Sequence, residues 1–281
     1  MPSARIGDTV LWYEDDDFAD PWRPHGTVFI QHGFGRNAEF FRAWVPWLAR
    51  RFRVIRMDLR GHGGSADPGP DYRFSQAGFH ADFLGLLDHL GIQSVHYIGE
   101  SIGGLIGATA AARHPGRFRS LTLISTPLSI PNNSQQLAQS LGFADTGEAI
   151  MKLGMRQWWM AQRTSTGELT GNQPMDDYFA DEFARTPAHI GRALALMEGG
   201  IFDIEASLPR ISAPTLLLVP GASTKTPRAD QERIAAQLPH GRMKIHENGK
   251  HSMYHLTPDV LAEETLAFIL ECEGGAAGMK S

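Results

Sequence analysis

The chain has 281 residues, 42% hydrophobic and 20% charged, with a formal net charge of −5. That size suits one large core domain with an inserted smaller unit, and the charge leaves no electrostatic footprint for nucleic acid. No apolar run approaches the roughly 18 residues of a membrane span. Met1-Pro2-Ser3-Ala4-Arg5 carries no apolar h-region, and the lone Cys272 excludes an internal disulfide, so the expected compartment is the reducing cytoplasm.

In chain order, apolar residues at roughly every second position from Ile6 to Glu14 predict an antiparallel edge strand, ended by the acidic run Asp15 to Asp17. Thr27 to Gln31 reads as a buried strand, followed by His32-Gly33-Phe34-Gly35 and an amphipathic helix from about Asn37 to Arg51. Arg53 to Asp58 is the next strand and runs into a glycine-dense turn, Leu59 to Ser65. Phe83, Leu86, Leu87 and Leu90 share one face of a helix over about Ser75 to Leu90. Val95 to Ile98 is strand and Ser101 to His114 helix, with Pro115 as its stop signal; Leu121 to Ile124 is strand again.

The alternation then breaks. From Thr126 to about Pro209 the chain reads as helical segments separated by loop signals such as Pro131-Asn132-Asn133-Ser134 and Gly171-Asn172-Gln173-Pro174. Strand resumes over Pro214 to Val219, and a helix from Pro227 to Leu238 follows, with Thr226 expected as N-cap. Met243 to His246 is the last strand. Leu261, Thr265, Phe268 and Cys272 mark the buried side of a terminal helix, and Gly274 to Ser281 is expected to fray. Strands alternating with helices imply right-handed crossovers and a mostly parallel sheet covered on both faces.

The chemistry concentrates at Gly99-Glu100-Ser101-Ile102-Gly103, between a strand and a helix. So tight a turn requires residues without a Cβ two before and two after the serine, and it would present Ser101 Oγ as a nucleophile at the carboxyl edge of the sheet. The Ile102 N–H, at the positive end of the following helix, and the Phe34 N–H, at the end of an earlier strand, are the expected oxyanion donors. His251, in Asn248-Gly249-Lys250-His251-Ser252 after the last strand, stands in the right chain order for a general base. His255 lies four residues on, but no Glu completes a His-Glu-x-x-His pattern and no third ligand is evident, so no metal is expected. His62 is expected to brace its glycine turn.

These segments resemble the α/β-hydrolase fold from Thr27 to Glu271, through His32-Gly33-Phe34-Gly35, Asp58-Leu59-Arg60-Gly61-His62-Gly63, the serine turn and Gly249-Lys250-His251. Within that superfamily the chain is similar to the 3-oxoadipate enol-lactonase and carboxylesterase-like group, through Phe52 to Asp58, Leu86 to Ile92 and the helix after Ser101. The resemblance implies a mostly parallel eight-stranded sheet with helices on both faces: a core formed by 1–126 and 210–281, and a helical lid over 127–209. It also implies cofactor-free hydrolysis of an ester, lactone or related acyl bond of a small molecule. Carbon–carbon cleavage of a diketone-like substrate and low-turnover ligand reception remain the alternatives, and a homo-oligomer stays open.

One departure stands out. The loop after the Leu216 to Val219 strand, where the family usually carries the triad aspartate, reads Gly221-Ala222-Ser223-Thr224-Lys225-Thr226-Pro227, and Ser125-Thr126-Pro127 offers no carboxylate either. A Ser223 or Thr224 hydroxyl, a carboxylate from Asp230 or Glu247, a Ser-His dyad, or loss of catalysis are the four readings. In the lid, Trp158 and Trp159 are candidates for substrate contact, although their spacing equally suits a lid core. Arg156, Arg163, Arg185 and Arg192 are candidates for clamping a substrate carboxylate, or simply face solvent.

Overall fold

A computed structural model describes residues 2–128, 133–197, 202 and 204–277. The loop signal at Pro131-Asn132 and the tail from 278 onward lie outside them. Eight strands form one sheet: β1 (Ser3–Ile6), β2 (Thr9–Asp16), β3 (Thr27–Gln31), β4 (Arg53–Met57), β5 (Val95–Glu100), β6 (Phe118–Ile124), β7 (Thr215–Pro220) and β8 (Gly241–His246). Their order is β1-β2-β4-β3-β5-β6-β7-β8, parallel from β4 onward, with β2 antiparallel to both β1 and β4. The expected single edge strand is therefore a hairpin. Gly7, at φ 55, supplies the left-handed residue at its turn, and β2 outruns its predicted end because Asp15 and Asp16 pair with Arg53 and Arg56 of β4.

Strand faces alternate between two cores, as a sheet covered on both sides demands. Phe29, Tyr97, Leu121, Leu217 and Val219 face α2 (Gln76–His89), α3 (Ile102–Arg113) and α8 (Arg228–Gln237). Val28, Ile30, Ile98, Leu216 and Leu218 face a 3₁₀ segment (Ala38–Trp44), α1 (Val45–Leu48) and α10 (Pro258–Ala277). Each such side chain, once buried, contributes about 1.5–3 kcal/mol of hydrophobic stabilisation.

The helix expected over 37–51 is thus two pieces. Pro46 lacks an N–H and starts a new helix, while three residues per turn set Phe41 edge-on to Trp44, both fully buried, with ring centroids 5.5 Å apart. Ser75 caps α2 by accepting from the Gly78 N–H. Thr226 does not cap α8: Pro227, at ψ 143, is the last extended residue, and the buried Thr226 hydroxyl has no hydrogen-bond partner among the described residues. Gly274 does not end α10, which continues to Ala277.

Between β6 and β7 come α4 (Asn133–Ser140), α5 (Thr146–Thr166), α6 (Gln173–Ala184) and α7 (Ala188–Ala195). Helix α5 is broken by Gly154 at φ 77, ψ 163, with Gly167 at φ 61 as its left-handed C-cap. The short α9 (Met253–Leu256) precedes α10.

The strand order reverses between β3 and β5, where one crossover leads to β4 and the next returns to the far side of β3. Ligands bind open α/β sheets in the crevice outside such a reversal. Gln31 is level with Gly99 across that pair, so the turns carrying Phe34 and Ser101 emerge side by side.

Candidate active site

Ser101 lies between β5 and α3 at φ 53, ψ −116, a left-handed conformation costly for a serine. Three glycines permit it. A Cβ on Gly99 would strike the Gly103 carbonyl, one on Gly103 the Gln31 carbonyl, and one on Gly104 the Thr126 side chain. Ser125, after β6, is the other described non-glycine residue at positive φ, and its N–H donates to the Leu218 carbonyl. Ile102 opens α3, and neither its N–H nor that of Phe34 donates to a protein acceptor among the described residues. The Phe34 turn is clamped from below by His32, whose Nε2 accepts from the Leu59 N–H at 2.9 Å while Nδ1 donates to the Gly33 carbonyl at 2.8 Å. Burial holds His32 well below the ordinary imidazole range, which suits this neutral tautomer.

His251 follows β8 and is 4% exposed. Ser101, His251, Phe34 and Ile102 line one cavity of about 330 Å³, walled also by Pro127, Gln135, Gln162, Leu194 and Met197. That volume is near the lower end for small-molecule sites. Trp158 and Trp159 are not in this wall: they are buried in the core, Trp159 against Phe40 and Phe183. The four arginines are elsewhere too. Arg156 pairs with Asp177 and Asp181, Arg185 with Glu182, Arg192 is exposed, and Arg163 is buried against Glu168.

Neither carboxylate candidate for a triad acid pairs with His251 among the described residues. Asp230 pairs with Arg233 and Glu247 with Arg228 at the surface, Ser223 Oγ accepts the N–H groups of Lys225 and Thr226 in its own loop, and Thr224 is exposed. The nearest carboxylate is Glu100, the residue before Ser101. Fully buried, it has Oε1 3.5 Å from His251 Nε2 and Oε2 3.7 Å from Arg36 Nε. His251 Nδ1 has no hydrogen-bond partner among the described residues. Burial lifts the Glu100 carboxyl above its ordinary range, against the pull of Arg36. Burial first, then Lys225, Arg36 and Arg163, hold His251 well below the usual imidazole range. The imidazole is therefore neutral at pH 7 and able to accept a proton.

Sequence reasoning missed Glu100, Arg36 and Lys225. Their signal is position: Glu100 sits inside the serine turn, Arg36 just beyond the Phe34 turn, and Lys225 in the loop searched for an acid. His62, fully buried, bonds the Arg60 carbonyl through Nδ1, as expected of a turn brace. His255 Nε2 faces Arg163 at 3.2 Å, and no group of three metal-ligating side chains occurs among the described residues. Nor is any described helix long and apolar enough to cross a membrane.

A profile of the family described as "alpha/beta hydrolase fold" matches residues 26–258. The chain belongs to that family. Among curated relatives of this α/β hydrolase, a protein of Azorhizobium caulinodans that carries a carbamate-hydrolase name, RutD, is 27% identical over 97% of this chain and 100% of its own. The 3-oxoadipate enol-lactonase 2 of Acinetobacter baylyi is 26% identical over 85% of this chain and 86% of its own. A solved hydrolase from Pseudomonas aeruginosa superposes with a TM-score of 0.81 at 25% identity, covering 95% of this chain and 97% of that one.

Proposed function

We propose that the protein is a serine hydrolase cleaving a carboxylic ester, lactone or related acyl bond of a small molecule. One observation carries the reading: a strained, glycine-supported Ser101 and a buried neutral His251 line the same small cavity. On this reading Ser101 Oγ attacks the carbonyl carbon, and His251 takes the hydroxyl proton and returns it to the leaving group. The Phe34 and Ile102 N–H groups hold the oxyanion, and water then releases the acyl group from Ser101. Glu100 orients the imidazole from beneath and offsets the positive charge it gains. The helices of 127–209 act as the lid, with α4, α5 and α7 contributing Gln135, Gln162 and Leu194 to the cavity wall. The enol-lactonase and carbamate-hydrolase names of the relatives support attack on a carbonyl, without fixing which one.

An aryl-ester screen beside fluorophosphonate labelling tests this. Wild type is expected to take the label and turn over an activated ester, and Ser101→Ala to lose both. Turnover by Ser101→Ala equal to wild type would remove the reading.

A further inference from the structure

The described cavity wall holds two cationic side chains, Arg36 and Lys225, and no aspartate or glutamate, although the whole chain is net negative. Just behind it, Arg163 is satisfied by Glu168 and Ser252, and Glu100 lies between Arg36 and His251. The charged groups that act on Lys225 are two further cations, Arg36 and Arg163, and two carboxylates, Glu100 and Glu168, while Asp176 adds its pull on Arg163. Half-buried on the loop after β7, the Lys225 ammonium makes no hydrogen bond or ion pair among the described residues. Arg36 is already engaged, since Nη1 donates to the Phe34 carbonyl and the buried Nε faces Glu100 at 3.7 Å. A poorly hydrated ammonium facing a cavity is costly until an anion meets it.

We propose that the substrate carries a carboxylate bound by Lys225, with Arg36 beside it, and that Lys225 determines this specificity. The proposal rests on the hydrolase reading only in calling the ligand a substrate; the anion site stands on its own geometry. The single ammonium of the wall that is unpaired among the described residues matches a singly charged carboxylate, whereas a phosphate monoester, at about −1.5 to −2, would overshoot it. Around Lys225 stand Arg36 after β3, Glu100 at the end of β5, Arg163 in α5, Glu168 in the turn after it, and His251 after β8. Burial, the largest influence, brings the Lys225 ammonium down to about 8, so the site loses its charge as pH rises through that value.

Two measurements on wild type and Lys225→Met test this. In the first, pentanoate and its neutral isostere pentanamide are titrated while melting temperature is followed at pH 7. Pentanoate should raise the wild-type value saturably, pentanamide should not, and Lys225→Met should respond to neither. The unliganded melting temperature reports whether the variant folds, and Lys225→Arg, which keeps the charge, should retain the pentanoate response. In the second, mono-p-nitrophenyl glutarate is compared with p-nitrophenyl glutaramate. Wild type should favour the acid by roughly 10- to 100-fold in kcat/KM, the range set by a charge-assisted hydrogen bond, and Lys225→Met should lose that preference. Wild-type preference should also fall above about pH 8, because kcat/KM reports the free enzyme. Equal responses to pentanoate and pentanamide, or a preference unchanged in Lys225→Met, overturn the proposal. Loss of label in Ser101→Ala without any anion preference leaves the hydrolase reading standing alone. A Lys225-dependent pentanoate response with an active Ser101→Ala leaves the anion site standing alone.

Discussion

Glu100 and Ser101 are consecutive, yet one lies beneath the cavity and the other lines it. In the proposed mechanism Glu100 acts through His251 and is a positioning residue. Glu100→Gln should lower kcat by about 10²-fold with little change in KM, less than the ~10⁴ lost where an acid bonds its histidine directly. A nearby negative charge favours imidazolium, so removing it should also move the acid limb of kcat/KM to lower pH, an effect a merely structural role would not produce. Asp230→Asn and Glu247→Gln should leave kcat unchanged, since both carboxylates are spent on surface arginines. His251 serves only while neutral, so the acid limb of wild type should lie below 6.5. The roles that could be named from sequence alone are those that constrain backbone: glycines around Ser101, a turn at Phe34, chain order for His251. Lys225 and Glu100 could not be, because nothing local to a loop or a strand end reveals which distant residues, Arg163 and Glu168 for the one and Arg36 and His251 for the other, will meet its side chain.

The end of α5 is coupled to the segment that carries His251. Arg163 reaches Ser252, and Lys250 Nζ donates to the Thr166 and Gly167 carbonyls, so both neighbours of the imidazole are tied to the same helix. Arg163→Met strands the buried Glu168 carboxylate and should cost about 3–5 kcal/mol in chemical denaturation. The double variant Arg163→Met, Glu168→Gln should recover much of that loss, a coupling that a double-mutant cycle reads directly. Most strands and the helix from about Ser75 to Leu90 were legible from alternation and apolar spacing, because local preference and tertiary burial agree there. The 3₁₀ segment was not: Phe40, Phe41 and Trp44 fit an amphipathic helix in sequence, and only the need to bury all three tightens the winding.

Across the molecule, His32, His62, His80, His96, His251 and His255 are all shifted below the ordinary imidazole range, with burial the largest cause. Unfolding exposes them to protonation near 6.5, so the unfolded chain binds more protons in acid. Their stabilisation is complete above that value and is lost as pH falls toward about 4, where His62 and His80 titrate in the fold. His62 alone accounts for about 3 kcal/mol over that window. Asp58, raised by burial to about 6, works in the opposite sense, its contribution fading as pH rises through that value. The balance favours acid lability: melting temperature should drop steeply between pH 6.5 and 4.5, and His62→Gln should flatten that slope.

The loop after β7 is pinned at its root, where Gly221 and Ala222 donate to the His246 and Gly249 carbonyls, and Ser223 closes its tip on itself. A segment anchored at its base and folded by its own hydroxyl behaves as an exchangeable cartridge. Rewriting position 225 from lysine to glutamate should erase the melting-temperature response to pentanoate, while the sheet and the serine turn stay where they are.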